Sequence, residues 1–330
     1  MLHALFVKGA HWGAARGGHE AADWEWIEEI DLEALEAAPD FDVAEARRAI
    51  ASEGVLLFQR PVAPTALDIE EDRILREFRL KVTIPLLRDT GAPCPEVLGT
   101  GTLMTHEGRF FLVTADHIFR KNIKDANSAL IPFSDVAIPD RPRHGRLQTL
   151  GKVNVFRLPT PVPVDAIVLE VVDQEIIDML HAGWGFLTVA QVDLPVPDDR
   201  FVISGFMFDQ ASFNDGVVFQ AMMNLETDLL HETPDVEEPA PGFDLFLHLQ
   251  DEGAMIDGTR RPITTLKGLS GGPIWALRRP SADELWLPSS MLKLVAVQSS
   301  EMKRKWSRGV HWDAILAILR SPAVGFSSPP

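Results

Sequence analysis

Gly268-Leu269-Ser270-Gly271-Gly272-Pro273 runs straight into the apolar stretch Ile274-Trp275-Ala276-Leu277. Glycine adopts dihedrals closed to other residues and lets a backbone approach a ligand closely. A nucleophilic serine needs that room. It also needs nearby backbone N–H groups to hold the oxyanion formed during acyl transfer. The plainer alternative is a glycine-rich turn between two strands.

Working outward, the flanking sequence is rich in short β runs separated by turn signals. Phe78–Ile84 alternates at period two, Val97–Met104 precedes the turn at Glu107-Gly108, and Arg109–Thr114 follows it. Further runs cover 129–138, 147–156 and 164–172, and a second group covers 185–192, 200–208, 216–225, 243–250, 273–278 and 292–299. Such spacing predicts an all-β fold of two six-stranded antiparallel β-barrels. Helices are expected near 173–181 and at the C-terminal end, Asp313–Arg320, with Asp313 as cap. The expected organisation is an acidic, mainly helical N-terminal extension over 1–75, a first barrel over 76–175, and a second barrel with the C-terminal helix over 176–330. Within the extension, Asp23–Ile30 and Asp40–Arg48 read as short helices.

Composition narrows the function. The 330 residues are 46% hydrophobic, enough for a large core. A net charge of −17 argues against a broad nucleic-acid face. No apolar run is long enough for a membrane span. Cys94, the single cysteine, sits in a turn and reads as a bystander. One cysteine and no secretory pattern at the N-terminus lead us to expect a reducing, cytoplasmic compartment. The basic cluster Lys303–Arg308 reads as a solvated loop. The ten histidines are scattered without metal-ligand spacing, so neither a metal nor a cofactor is expected.

A serine hydroxyl needs a general base, and the base needs an orienting carboxylate. His117 ends Phe111-Leu112-Val113-Thr114-Ala115-Asp116-His117, where an apolar strand meets a helical turn. Asp165 opens Asp165-Ala166-Ile167-Val168-Leu169-Glu170-Val171, a run that reads as buried. A lone charge there is costly, so Asp165 should have a partner. Taken singly, His117 could be a strand-end cap and Asp165 an exposed strand start.

Together, Leu112–His117, Asp165–Leu169 and Gly268–Pro273, in that order, resemble the histidine strand, aspartate strand and serine loop of the trypsin-like, chymotrypsin-fold serine peptidases. Phe201–Phe206 resembles a second-barrel strand of the bacterial members, and Leu294–Ser299 the strand lining the substrate cleft. The resemblance spans about 78–320 and is to the intracellular bacterial type. It implies a catalytic triad of His117, Asp165 and Ser270, and an oxyanion hole from the N–H groups of Gly268 and Ser270. It places Thr264, Lys267 and Ser299 at the substrate pocket. Thr264 stands at the pocket base, where no aspartate would favour Arg or Lys, and Lys267 at the flank would favour acidic or polar side chains. Leu269 replaces the aspartate that cleavage-activated members pair with a new N-terminus. The serine loop must therefore be ordered some other way.

Two alternatives compete with this reading. Gly268-Leu269-Ser270-Gly271-Gly272 also fits the G-x-S-x-G elbow of α/β-hydrolases. That fold places its acid and then its histidine after the serine. Here His311, the sole histidine after Ser270, precedes Asp313, and Pro273 leads into a β run rather than a helix. The other alternative is a catalytically silent module on the same fold that binds peptides or protein partners. The expected partners are a protein or peptide substrate and a regulatory protein, with neither nucleic acid nor membrane. Eleven acidic residues and no lysine or arginine between Glu20 and Glu45 suggest a regulatory element in the extension.

Overall fold

The computed structural model describes residues 4–8, 24–27, 56–60, 66–89, 95–120, 131–141, 146–158, 164–196, 199–214, 217–230, 232–236, 239–249, 252–255, 258–263, 265–278, 286–302 and 305–320. The chain divides into two compact units, Met1–Glu70 and Glu71–Pro330. In the first, β1 (Ala4–Lys8) pairs antiparallel with β2 (Trp24–Ile27) and parallel with β3 (Leu56–Arg60). Trp24–Ile27 is therefore a strand, not part of the helix expected over Asp23–Ile30. Trp24 and Trp26 alternate with Glu25, and bulky aromatics at period two suit a pleated surface better than a helix. The helix expected over Asp40–Arg48 lies outside the described residues.

Helix α1 (Ala66–Val82) leads to β4 (Thr83–Arg88). Phe78–Val82, expected as strand, is thus the last turn of a helix. Buried Leu75, Arg79 and Val82 lie at helical spacing, and Phe78 meets Trp275 edge-on at 6.2 Å. The alternation of four apolar residues fits a strand as well, so burial rather than period decides.

The first barrel comprises β4, β5 (Glu96–His106), β6 (Arg109–Thr114), β7 (Val136–Asp140), β8 (Arg146–Thr149), β9 (Val153–Phe156) and β10 (Ile167–Val171). β8 pairs with β7, and β9 pairs with β10. The run 147–156 is therefore one strand bent at Gly151, which changes neighbours at the corner. Gly151 has φ +71°, a left-handed conformation that favours glycine. Counting that bent strand once gives the six expected. Helix α2 (Gln174–Gly183) follows, capped by the Asp173 side chain on the Glu175 N–H.

The second barrel contains β11 (Arg200–Asn214), β12 (Val217–Thr227), β13 (Asp244–His248), β16 (Pro273–Leu277), β17 (Leu292–Met302) and β18 (Trp306–His311). Past its end, the β12 segment continues alongside β13, where Leu230 N–H donates to Phe246 O and His248 N–H to Asp228 O. That closes a six-strand ring. A hairpin of β14 (Glu252–Met255) and β15 (Arg260–Pro262) adds onto β12. Two expectations change here. Residues 185–192 form only single bridges at Leu187 and Val192 around a tight turn. Trp306–His311, expected within a loop, is a full strand with Trp306 and Ser307 buried; the basic residues of the cluster had masked its apolar partners. After α3 (Pro288–Met291) and the last two strands, α4 (Trp312–Arg320) ends the described chain where a helix was expected, but Asp313 lies inside its first turn rather than capping it.

Strand alternation fills three cores. Leu112 of β6 enters the first barrel, while Phe111 and Val113 enter a central cluster with Trp275, Trp312, Ile315 and Ile318. Likewise Ile274 and Ala276 of β16 enter the second barrel, and Trp275 turns to the central cluster. Both faces of these strands are buried, so they read as continuous apolar runs. No described helix is long and apolar enough to cross a membrane.

Candidate active site

His117 and Asp165 are brought together by strand pairing. β6 and β10 run antiparallel with Thr114 opposite Ile167. His117 lies just past Thr114 and Asp165 just before Ile167, so both leave the sheet at the same end. His117 opens a tight turn, His117–Phe119. Asp116, next to it, is buried and accepts from Arg120 Nη2 at 2.9 Å and Arg157 Nε at 2.8 Å. Two guanidiniums thus neutralise the buried carboxylate and fix the turn that presents the imidazole.

Asp165 accepts twice from His117: from the backbone N–H at 2.9 Å and at Nδ1, 2.7 Å from Oδ2. A carboxylate in that position holds Nδ1 protonated and leaves Nε2 as the free base. Burial pushes the imidazole pKa down, but the charge and hydrogen bond of Asp165 outweigh it, and the net shift is upward from 6.5. Burial pushes Asp165 up in turn, and His117 and its N–H groups more than reverse this, leaving the carboxyl below its usual range. Asp165 is half-buried, and it has the partner anticipated for its charge.

The serine loop comes from the other barrel and docks against the first. Thr100 on β5 is the joint. Its N–H donates to Ser270 O at 2.8 Å, and its hydroxyl donates to Gly268 O at 2.7 Å and accepts from Phe206 N–H at 2.9 Å. The Thr114 hydroxyl donates to Thr100 O at 2.6 Å. Gly271, at φ +86°, passes so close that a Cβ would lie 1.9 Å from Thr114 Oγ1 and 2.1 Å from Thr100 O. Gly271 N–H donates to Gln298 O, and Gln298 N–H to Gly272 O, each at 2.8 Å, which fastens the loop to β17.

Leu269 is completely buried in the second-barrel core, where a Cβ on Gly205 would meet its Cδ1 at 2.6 Å. Apolar burial anchors this loop. The peptide units on either side are also fixed. Lys267 O accepts from Phe208 N–H at 2.8 Å, and Leu269 O from Gly272 N–H at 2.9 Å. In a planar trans peptide the following N–H points opposite to that carbonyl. The N–H groups of Gly268 and Ser270 are therefore held in set directions, and among the described residues neither has an acceptor.

His117 and Asp165 are thus in contact, and Ser270 is anchored to β5, two strands from β10. Among the described residues no hydrogen bond joins the Ser270 hydroxyl to His117. Thr264 lies outside the described residues. Lys267 is exposed, with Nζ 4.7 Å from the centroid of the Phe208 ring. Ser299 is buried, and its hydroxyl donates to Arg308 O at 3.2 Å. Sequence reasoning missed Thr100, Thr114 and Gln298. The small residues of Gly99-Thr100-Gly101-Thr102 are the signal of close approach that could have found Thr100. No group of residues suited to a metal ion occurs among the described residues.

No protein family and no curated protein matches this sequence. Similarity to solved structures is low in both identity and TM-score. One concerns coupled folding and binding of the Sesbania mosaic virus VPg protein, at 15% identity and TM-score 0.39, covering 72% of this chain and 90% of that one. Another is the Rv3671c protease from M. tuberculosis in its active form, at 14% identity and TM-score 0.38, covering 80% and 92%. A third is an atomic-resolution structure of HBP, at 14% identity and TM-score 0.42, covering 81% and 98%.

Proposed function

We propose that this chain is a serine endopeptidase that hydrolyses peptide bonds through an acyl-enzyme. One observation carries the reading. Two backbone N–H groups, one on Ser270 itself and one two residues before it, are orientationally fixed and have no acceptor among the described residues. They belong to a loop docked on the barrel that carries the His117–Asp165 pair. Buried donors are normally satisfied. Donors left free at a candidate nucleophile are what a developing oxyanion requires.

In this reading Ser270 Oγ attacks the peptide carbonyl carbon as its proton passes to His117 Nε2. The carbonyl oxygen becomes an oxyanion held by the N–H groups of Gly268 and Ser270. The C–N bond then breaks, and the amine leaves with the proton from Nε2. Water, deprotonated by the same nitrogen, attacks the ester, and Ser270 recovers its proton as the acid departs. Asp165 keeps the imidazole in its Nδ1-protonated tautomer and stabilises the imidazolium. Hydrogen bonds between nucleophile and base often tighten only once substrate is bound, which accords with the open Ser270–His117 geometry. The acidic extension would restrain this activity, directly or through a protein partner.

The test is hydrolysis of a fluorogenic peptide library by the full chain beside Ser270→Ala and His117→Ala. Turnover lost in both variants supports the proposal. Turnover that survives either substitution, or a wild-type chain that binds peptides without cleaving them, contradicts it and favours the silent binding module.

A further inference from the structure

Four buried polar side chains have no part in the chemistry above, and the fold brings all of them to the central cluster. Thr83 of β4 is directly opposite Thr102 of β5, so the two hydroxyls stand on the same face. Thr102 is opposite Val113 in turn, and Val113 belongs to the cluster. On the second barrel, Asn224 of β12 is opposite Ser204 of β11. Val202, two residues before Ser204 and on the same face, belongs to the cluster too. Helix α1 lies on it through Leu75 and Val82. Arg79 stands between these two on the same helix face, four residues before Thr83.

Thr83 and Thr102 are completely buried, Asn224 is 2% exposed and Arg79 3%. Thr83 Oγ1, Thr102 Oγ1, Asn224 Nδ2 and Arg79 Nε each lack a hydrogen-bond partner among the described residues, and no ion pair reaches Arg79 there. Asn224 Oδ1 is taken, accepting from the Ser204 hydroxyl at 2.8 Å. What remains is a set of donors. Guanidinium and amide N–H groups can only donate, and the two hydroxyls are free to do so. Burial pushes the Arg79 pKa down to about 10, further than the charges of Asp72 and Glu226 hold it up. Both carboxylates have cations of their own: Asp72 accepts from Arg76, and Glu226 lies 3.6 Å from Arg200. Buried polar groups are normally paired, and an unpaired buried charge is strongly destabilising.

We propose that Arg79, Thr83, Thr102 and Asn224 form a buried binding site for a small oxyanion, a phosphate or carboxylate group. Such a ligand supplies the negative charge that Arg79 lacks and acceptor oxygens for the donors around it. The planar guanidinium fork matches the paired oxygens of either group. Nothing in the site requires Ser270 to be a nucleophile.

The test is thermal melting of the full-length chain in sodium chloride, phosphate or acetate, at one pH and one ionic strength, beside Arg79→Met and Thr102→Val. With the anion about a hundredfold above its Kd, the wild type should melt about 5 °C higher than in chloride. A larger shift in phosphate assigns the site to phosphoryl groups, and a larger one in acetate to carboxylates. Arg79→Met keeps the apolar stem and removes the charge. It should melt no lower than the wild type in chloride and lose the anion-specific shift. Thr102→Val should keep the shift but need about tenfold more anion, the scale of one hydrogen bond. A wild type that melts alike in all three salts overturns the site. An equal shift in Arg79→Met overturns it too, since that is general salt stabilisation. So does an Arg79→Met chain that melts below the wild type in chloride, because its charge was then already compensated. If Arg79→Met does not fold, calorimetric titration with inorganic phosphate and acetate decides. Saturable single-site binding of either, weakened in Thr102→Val, upholds the site; no saturable binding, or binding unchanged in Thr102→Val, overturns it.

Discussion

Asp165 does more at the site than its single charge suggests. Burial alone would lower the His117 pKa, and it is raised only because the carboxylate outweighs burial. In the proposed mechanism the base works as neutral imidazole, so the rate of acylation should rise with pH through a midpoint above 6.5. Asp165→Asn removes the pull and leaves the burial, so that midpoint should fall below 6.5. Turnover should also drop about 10⁴-fold as the tautomer is lost. Rates measured across pH on both proteins check the sign. Leu269 carries the second residue-scale expectation. It is fully buried under Gly205, and Leu269→Ala should cost about 2–5 kcal/mol in chemical denaturation. The loss of loop order should lower turnover beyond what the folded fraction explains. Of these residues, His117, Asp165, Ser270 and Leu269 were legible in the sequence, because each stands in an unusual local setting.

At the scale of elements, two barrels meet through Thr100, whose two backbone groups and hydroxyl make four hydrogen bonds. Thr100→Val keeps the shape but strands Gly268 O and the Phe206 N–H. We expect a loss of about 1–3 kcal/mol in stability and a fall in kcat larger than any change in KM. Denaturation and steady-state kinetics on the same protein check both. Such cross-barrel contacts cannot be read from local sequence, since Phe206 and Thr100 are |i−j|=106 apart. Most strands could be read, because apolar runs between turns survive any arrangement of the barrels. The failures have local causes. Phe78–Val82 satisfies both a helical and a strand period. Trp306–His311 hides its apolar residues among basic ones. The 185–192 run is apolar without continuous pairing, and only its Leu187 and Val192 bridge to neighbours.

At the scale of the whole molecule, the serine loop is held by the second-barrel core and by Thr100, all within the unit that begins at Glu71. In the proposed reading the acidic extension restrains the peptidase by limiting access to the site. Removing residues 1–70 should then raise turnover of short peptides with the Ser270 loop unchanged; a soluble truncated protein with wild-type rates would contradict this. The central claim is that Ser270 is a nucleophile activated by His117 and Asp165. The direct measurement is reaction of the full chain with a fluorophosphonate probe, read by intact mass and peptide mapping. We predict a single phosphonyl adduct on Ser270, absent in Ser270→Ala and strongly slowed in Asp165→Asn. A folded wild-type chain that stays unlabelled, or an adduct on any other residue, would contradict it.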